Sequence, residues 1–222
     1  MPVTELAFIP SATPGSIPPA FLKASWEGIE AQNNWAAANA SSTLPSGPPA
    51  VRGAAVYQQR EDRGIMLITA HWDSPAQHAE CIASEENMGA MKALASHSVA
   101  SEIRFFHVDG VRLFGKETLD TGLLSMLRIS VEGGNGREIE RIWNDDGDDG
   151  VKKLLFESAG FEHIGGWRVE KEQGKEDRDE FVVVGAWRDE DALSRFAEGK
   201  EWDQVWKGAV LETNVTTYSR LA

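Results

Sequence analysis

Two stretches of this chain carry the same junction. "AHWDSPAQHAE" occupies residues 70–80 and "GAWRDEDALSR" residues 185–195. Each runs from an apolar segment through a Trp into residues with helical spacing. The surroundings repeat as well. In the first half "VTELAFIP" (3–10) alternates as a strand, and Ser16, Pro18 and Pro19 open an amphipathic helix with Leu22, Trp26 and Ile29 on one face. After the loop "SSTLPSGPP" (41–49), the strands "VRGAAVYQQ" and "GIMLITAHW" are joined by the charged turn "REDR". Ser74, Pro75 and Gln77 form a capped helix start, and one helix is expected from there to His97. "SEIRFFHVDG" (101–110) ends the half as a strand.

The order then restarts. "LLSMLRISVEG" is a strand, and "REIERIW" begins a helix that an acidic, Gly-containing run interrupts and "GVKKLLFESAG" resumes. "HIGGWRVEKE" and "EFVVVGAW" form a second charged hairpin, "DEDALSRFAEGKEWDQVWKGAV" is helical, and "LETNVTTYSRL" is a closing strand. Trp72 and Trp187 lie 115 residues apart (187 − 72), Trp26 and Trp143 117 (143 − 26), and His107 and Tyr218 111 (218 − 107). The fold class expected is therefore α+β, as two tandem ferredoxin-like β-α-β-β-α-β units. The halves span 1–110 and 123–222, with 111–122 as connector. Such a unit covers one sheet face with its helices and leaves the other bare. The two sheets are expected to pack on each other as a barrel-like core, which makes a monomer the default. "IMLIT" and "FVVVGAW", apolar on both parities, suit strands buried on both faces.

Composition removes several function classes. A formal net charge of −13 over 222 residues disfavours a nucleic-acid phosphate backbone and an anionic membrane surface. Cys81 is the single cysteine, so neither a disulfide framework nor a cysteine-based zinc site is expected. No apolar run has the length of a membrane span, and "MPVTELAFIPSATPG" lacks the basic region of a signal peptide. The expected location is cytoplasmic. "NDDGDDG" (144–150) reads as a solvated loop. "EGGNGR" (132–137) lacks the spacing of a dinucleotide-binding turn.

"ITAHWDSPAQHAECIAS" and "VVVGAWRDEDALSRFAEGKEW" resemble the W-x-S/D-x-x-x-(H/L) junction of the dimeric α/β-barrel superfamily, which includes antibiotic-biosynthesis-monooxygenase-like, EthD-like and stress-responsive families. The resemblance covers nearly the whole chain as two tandem copies, and is similar to single-chain barrels found near secondary-metabolism enzymes. It implies a ligand pocket between a sheet and its own helices. Members include cofactor-free oxygenases of electron-rich aromatics, cyclases, decarboxylases, isomerases, dehalogenases and a few haem proteins. Haem degradation in the superfamily uses a His on the second helix and an Asn on the first strand. Here Met91 and Trp206 take the helix position and neither first strand has an Asn, so no haem and no other cofactor is expected.

Three histidines are the catalytic candidates. His71 ends a strand where pockets open, and its second-half counterpart is Ala186. An imidazole there can take and return a phenolic or enolic proton near neutral pH. His78 corresponds to Leu193, so it either packs its ring or points into a cavity. His107 sits mid-strand and aligns with Tyr218. His71 and His78, with Asp73 as the nearest carboxylate in sequence, could begin a metal site, but no metal is expected. His97 and His163 lie at element ends and are expected to be exposed. Trp72, Trp26, Trp35, Cys81 and Met91 are the candidates to line a first-half pocket, Cys81 otherwise being a small buried hydrophobe. The matched tryptophans also suit the core, whereas the unmatched Trp35, Trp167, Trp202 and Trp206 better suit a flat ligand.

The function expected is a cofactor-independent small-molecule enzyme, monooxygenase-like or a cyclase, decarboxylase or lyase. It would act on a hydrophobic aromatic or polyketide-like molecule by His-assisted proton transfer in the first half. The alternative is a non-catalytic ligand-binding or stress-responsive barrel.

Overall fold

A computed structural model describes residues 1–39, 47–109, 122–145, 147, 150–198, 206, 208 and 210–221. The chain divides into two compact units, Met1–His107 with Arg220–Ala222, and Val108–Ser219. The expected connector falls outside the described residues apart from Gly122, and Trp202 lies outside them too.

The first half contains β1 (Val3–Pro10), α1 (Pro19–Asn39), β2 (Ala55–Gln59), β3 (Ile65–Trp72), α2 (Pro75–Ile82), α3 (Glu85–Ala95) and β4 (Arg104–Asp109). Its strands lie in the order β4-β1-β3-β2. The second half contains β5 (Leu123–Glu132), α4 (Gly136–Trp143), α5 (Val151–Ala159), β6 (His163–Trp167), β7 (Arg178–Ala186), α6 (Glu190–Glu198) and β8 (Glu212–Leu221), with the strand order β8-β5-β7-β6. Both halves thus use one permutation, last-first-third-second, the ferredoxin-like arrangement.

The registers match residue for residue. Glu5 on β1 faces Ala70 on β3, and Ser125 on β5 faces Gly185 on β7. Side chains alternate between sheet faces along a strand, so Val3, Glu5, Ala7 and Ile9 share the face beneath the first-half helices. There Ala7 and Ile9 pack with Phe21, Ile29, Val56 and Leu94. In the second half Leu127, Ile129 and Val131 occupy the equivalent face and pack with Ile139, Trp143, Leu155 and Phe196. Each large apolar side chain buried this way contributes about 1.5–3 kcal/mol, which is ample reason for the register to hold.

The helix expected over 75–97 is two helices. Ser74 Oγ accepts from the Gln77 N–H at 3.1 Å to start α2, and Ser84 Oγ accepts from the Asn87 N–H at 3.2 Å to start α3. A second serine cap ten residues after the first, with Ser84 in extended backbone, ends one helix and starts the next. The strand expected from Val51 begins at Ala55, because Pro49–Arg52 form a 3₁₀ turn. In the second half the helix α6 is described to Glu198, short of its expected end.

Candidate functional site

Trp72 and Trp187 are fully buried, and each donates its indole N–H to the matching residue of its own first strand. Trp187 Nε1 gives to Ser125 Oγ at 2.7 Å; Trp72 Nε1 gives to Glu5 Oε2 at 2.7 Å. A hydroxyl in one half is therefore a carboxyl in the other. Glu5 Oε2 also lies 3.3 Å from His78 Nε2, and His78 Nδ1 lies 2.9 Å from His107 Nε2. Glu5, His78 and His107 are all buried. The His78 ring stacks on Trp72 at 4.4 Å between centroids, and the half-exposed Phe105 ring stands edge-on against both imidazoles.

Burial pushes the Glu5 carboxyl up to about 7, against the opposing pull of the Trp72 hydrogen bond and the His107 charge. An ionised Glu5 accepts from His78 Nε2–H. A protonated Glu5 can donate to that nitrogen, which then must carry its hydrogen on Nδ1, toward His107. One proton at Glu5 thus sets the direction of the whole chain of hydrogen bonds. In the second half Leu193 stands where His78 does, and the chain stops at Trp187 and Ser125.

Of the three catalytic candidates, the fold brings His78 and His107 together and leaves His71 apart. His71 alternates with Trp72 on β3, so it projects from the opposite sheet face, where Thr4 Oγ1 is 3.2 Å from its Nδ1. The alignment of His107 with Tyr218 does not hold. Tyr218 faces Leu124, on the sheet face opposite Ser125, whereas His107 shares the Glu5 face. A one-residue slip in a strand exchanges faces. Trp35 packs partly buried against Val3, Ala36, Trp72 and Cys81, and Trp26 and Met91 pack partly buried on the other first-half cluster. Burial, with the nearby Glu5 and Glu86 carboxylates, pushes the Cys81 thiol up to about 12, so near neutral pH it is held as the thiol. Among the described residues no group of three or more His, Cys, Asp or Glu could hold a metal. No helix among them is long and apolar enough to cross a membrane.

Among the described residues, an open cleft lies in the second half. A cleft of about 720 Å³ is bordered by α4, α5 and the edge strand β6, with Trp143, Trp167, Phe181 and His163 in its walls. Two glycines let its wall rings lie close against the sheet. A Cβ on Gly165 would stand 2.6 Å from Phe181 and 2.9 Å from Trp143, and one on Gly185 would stand 2.1 Å from the His163 ring. The bare backbone of Gly185 is what lets that imidazole lie against the sheet.

His163, expected to be exposed, is 6% exposed. Its Nδ1 lies 3.3 Å from the Phe161 carbonyl, which can only accept, so Nδ1 carries the hydrogen and Nε2 has a free lone pair. Nε2 has no hydrogen-bond partner among the described residues. Burial pushes this imidazole down to about 4, the Phe161 hydrogen bond opposing, so it is neutral at pH 7. Lys152 lies over the outer face of Trp143 at 5.3 Å, and Glu140 accepts from Trp167 Nε1 at 3.0 Å, which gives the aromatic cleft a charged rim.

Two residues central to these sites, Glu5 and His163, were not among the sequence candidates. Each left a trace. Glu5 is an acid at an inward position of an alternating strand, and His163 precedes Ile-Gly-Gly where a strand would carry bulk.

No family model matches the chain, and no curated protein does. Solved structures do. The chain is similar to an anthrone oxidase-like protein at 12% identity and a TM-score of 0.64, covering 100% of this chain and 92% of that one. It is similar to a candidate monooxygenase from Fusobacterium nucleatum at 9% identity and 0.61, covering 100% and 93%. A candidate monooxygenase from Lactobacillus acidophilus follows at 9% and 0.54, covering 99% and 93%. At such identities the likeness speaks for the fold, and by fold this chain is a dimeric α/β barrel.

Proposed function

We propose that the chain is a small-molecule enzyme of the oxidase or oxygenase type, acting on a flat hydrophobic aromatic with an ionisable hydroxyl, held in the second-half cleft. His163 carries this reading: a buried neutral imidazole in an aromatic wall, with an acceptor nitrogen that has no donor among the described residues. The enol form of an anthrone-class tricycle offers the missing O–H once the His163 ring turns off Gly185, against which Nε2 is sealed in the free protein. Trp143 and Phe181 offer ring faces for its planes. Proton transfer to Nε2 leaves an electron-rich enolate, which can itself reduce O₂. Overall a ring CH₂ and O₂ give a ring carbonyl and water. The anthrone oxidase-like and monooxygenase designations of similar structures support the choice of chemistry.

The test is oxygen uptake with anthrone, beside binding of 1-naphthol and naphthalene. Replacing His163 by Phe keeps a flat ring on Gly185 and removes the acceptor. Turnover is expected to fall about 100-fold, and 1-naphthol is expected to lose its advantage over naphthalene. Unchanged turnover in His163→Phe would overturn the assignment. Naphthol binding without oxygen uptake would favour the ligand-binding alternative.

A second reading rests on the first-half chain, in which Glu5, His78 and His107 move the proton. What favours it is a buried carboxyl poised near 7 and hydrogen-bonded to an imidazole pair. Under this reading Glu5→Gln removes the limb near pH 7 from the pH–rate profile while His163→Phe leaves it in place.

A further inference from the structure

The aromatic cleft of the second half has a carboxylate in its wall that nothing above employs. Asp109 ends β4 and belongs to the compact unit Val108–Ser219. Val108 pairs with Arg168 in an antiparallel bridge, so Asp109 stands next to Trp167 across the two strands. Both side chains leave by the sheet face that carries Gly165 and His163, and both line the cleft. Asp109 is half-buried, and among the described residues it has no hydrogen bond or ion pair. The same Trp167 is held from α4 by Glu140, whose Oε1 accepts from Nε1 at 3.0 Å. One indole therefore has a carboxyl group on each of two neighbouring elements.

The formal charge of the cleft wall is negative. Asp109, Glu140 and Glu162 set three carboxylates against the two ammonium groups of Lys152 and Lys153, and His163 is neutral. The chain as a whole carries −13, and a cleft of one sign between low-dielectric walls attracts the opposite charge. The wall also already accommodates a cation. Lys152 Nζ lies 5.3 Å from the Trp143 centroid, and its hydrogen-bond partner among the described residues is the neutral Asn144 Oδ1 at 3.1 Å. That leaves Asp109 for a ligand. An ionised carboxylate only accepts, so a ligand group that reaches it must donate. A cation doing so beside an indole gains from the ring quadrupole as well.

We propose that the aromatic held in this cleft carries a protonated amine, which donates to Asp109 beside the Trp167 ring, with Glu140 adding negative charge. This rests on the cleft being the substrate site, and it narrows the substrate class to a hydroxylated aromatic with a cationic nitrogen. An aromatic acid of the same size is disfavoured, since its carboxylate would meet the charges of Asp109 and Glu140.

Equilibrium dialysis with probes of one ring shape and different charge tests it: 1-naphthylmethylamine, a cation at neutral pH, naphthalene, and 1-naphthoate. The amine is expected to bind about 10-fold tighter than naphthalene at low salt, and naphthoate more weakly than either. The amine's advantage is expected to shrink as ionic strength rises. Asp109→Asn, which keeps the shape, is expected to bring the amine-to-naphthalene ratio down to about 2. Glu140→Gln, which keeps an acceptor for Trp167, is expected to lower it less. Glu27→Gln neutralises an exposed acid outside the cleft and is expected to leave the ratio at its wild-type value. Naphthalene bound without preference for the amine would overturn the proposal and leave the cleft reading standing, as would an equal fall in Glu27→Gln. Failure of every probe to bind would overturn both. Should Asp109→Asn not fold, the order of the probes on the wild type and its salt dependence decide.

Discussion

The space beneath the first helix differs between the halves by far more than their topology does. In the first half α1 runs unbroken for 21 residues and leaves a recess of about 20 Å³. In the second, α4 and α5 are separate helices of 8 and 9 residues, and a cleft of about 720 Å³ opens beside them. The sheet beneath changes to match. Val56 faces Ile68 in the first half where Gly165 faces Val183 in the second, and Ala70 stands where Gly185 does. Among the described residues, one strand order therefore carries a narrow recess in one half and a ligand-sized cleft in the other. A broken helix and two missing side chains accompany the difference.

Exchanging the matched residues should break this contrast. Gly185→Ala imports the first-half residue and drives a Cβ into the His163 ring, so it is expected to cost about 3 kcal/mol by overpacking. The reverse change, Ala70→Gly, is expected to cost about 1 kcal/mol or less. Thermal denaturation of both variants measures the asymmetry, and equal losses would show that the cleft wall is not tightly built. Gly165→Val should push the Phe181 and Trp143 rings out of place and abolish naphthol binding.

pH should separate the halves by sign. Glu5 has its folded pKa raised from 4.5 to about 7, so its contribution to stability is full below about 4.5 and is lost as pH rises to 7. His163 has its folded pKa lowered from 6.5 to about 4, so its contribution is full above about 6.5 and is lost as pH falls to 4. Each span sets a ceiling on the order of 3 kcal/mol. Glu5→Gln is expected to flatten the first slope and His163→Phe the second, by urea denaturation across pH 4–8. Were one variant to flatten both, the two groups would not be acting separately. His78→Leu, which imports the second-half residue, takes the imidazole from Glu5 and should shift the Glu5 slope to higher pH.

The helix caps should show the smallest effect and no contrast. Ser74 Oγ accepts the Gln77 N–H, and Asp189 Oδ1 accepts the Ala192 N–H at 2.7 Å, at matching junctions. Ser74→Ala and Asp189→Ala are each expected to cost about 1 kcal/mol. A clear inequality in melting temperature would mean that one junction is strained.

Much of the architecture could be read from the chain, because hydrophobic period and cap residues are local. The element order, the Trp junctions and the start of α2 at Ser74 all follow from neighbours within a few positions. The second serine cap at Ser84 is equally local, but it is masked by the run of good helix formers around it. Sites were harder to read. His78 and His107 meet across 29 residues, and Glu5 reaches Trp72 and His78 from the other end of the half. Which face His107 takes depends on a register that a one-residue slip reverses, and the sequence alignment slipped by one.

What the sequence alone determined is the tandem α+β order, since periodicity of two or near 3.6 is written into each segment, and the unequal histidines of the two junctions. What only the tertiary structure decided is where polar groups end up unpaired and where space remains. Those follow from long-range packing: the backbone of Gly185 beneath His163, Gly165 beneath Trp143 and Phe181, and Arg52 closed over by α1.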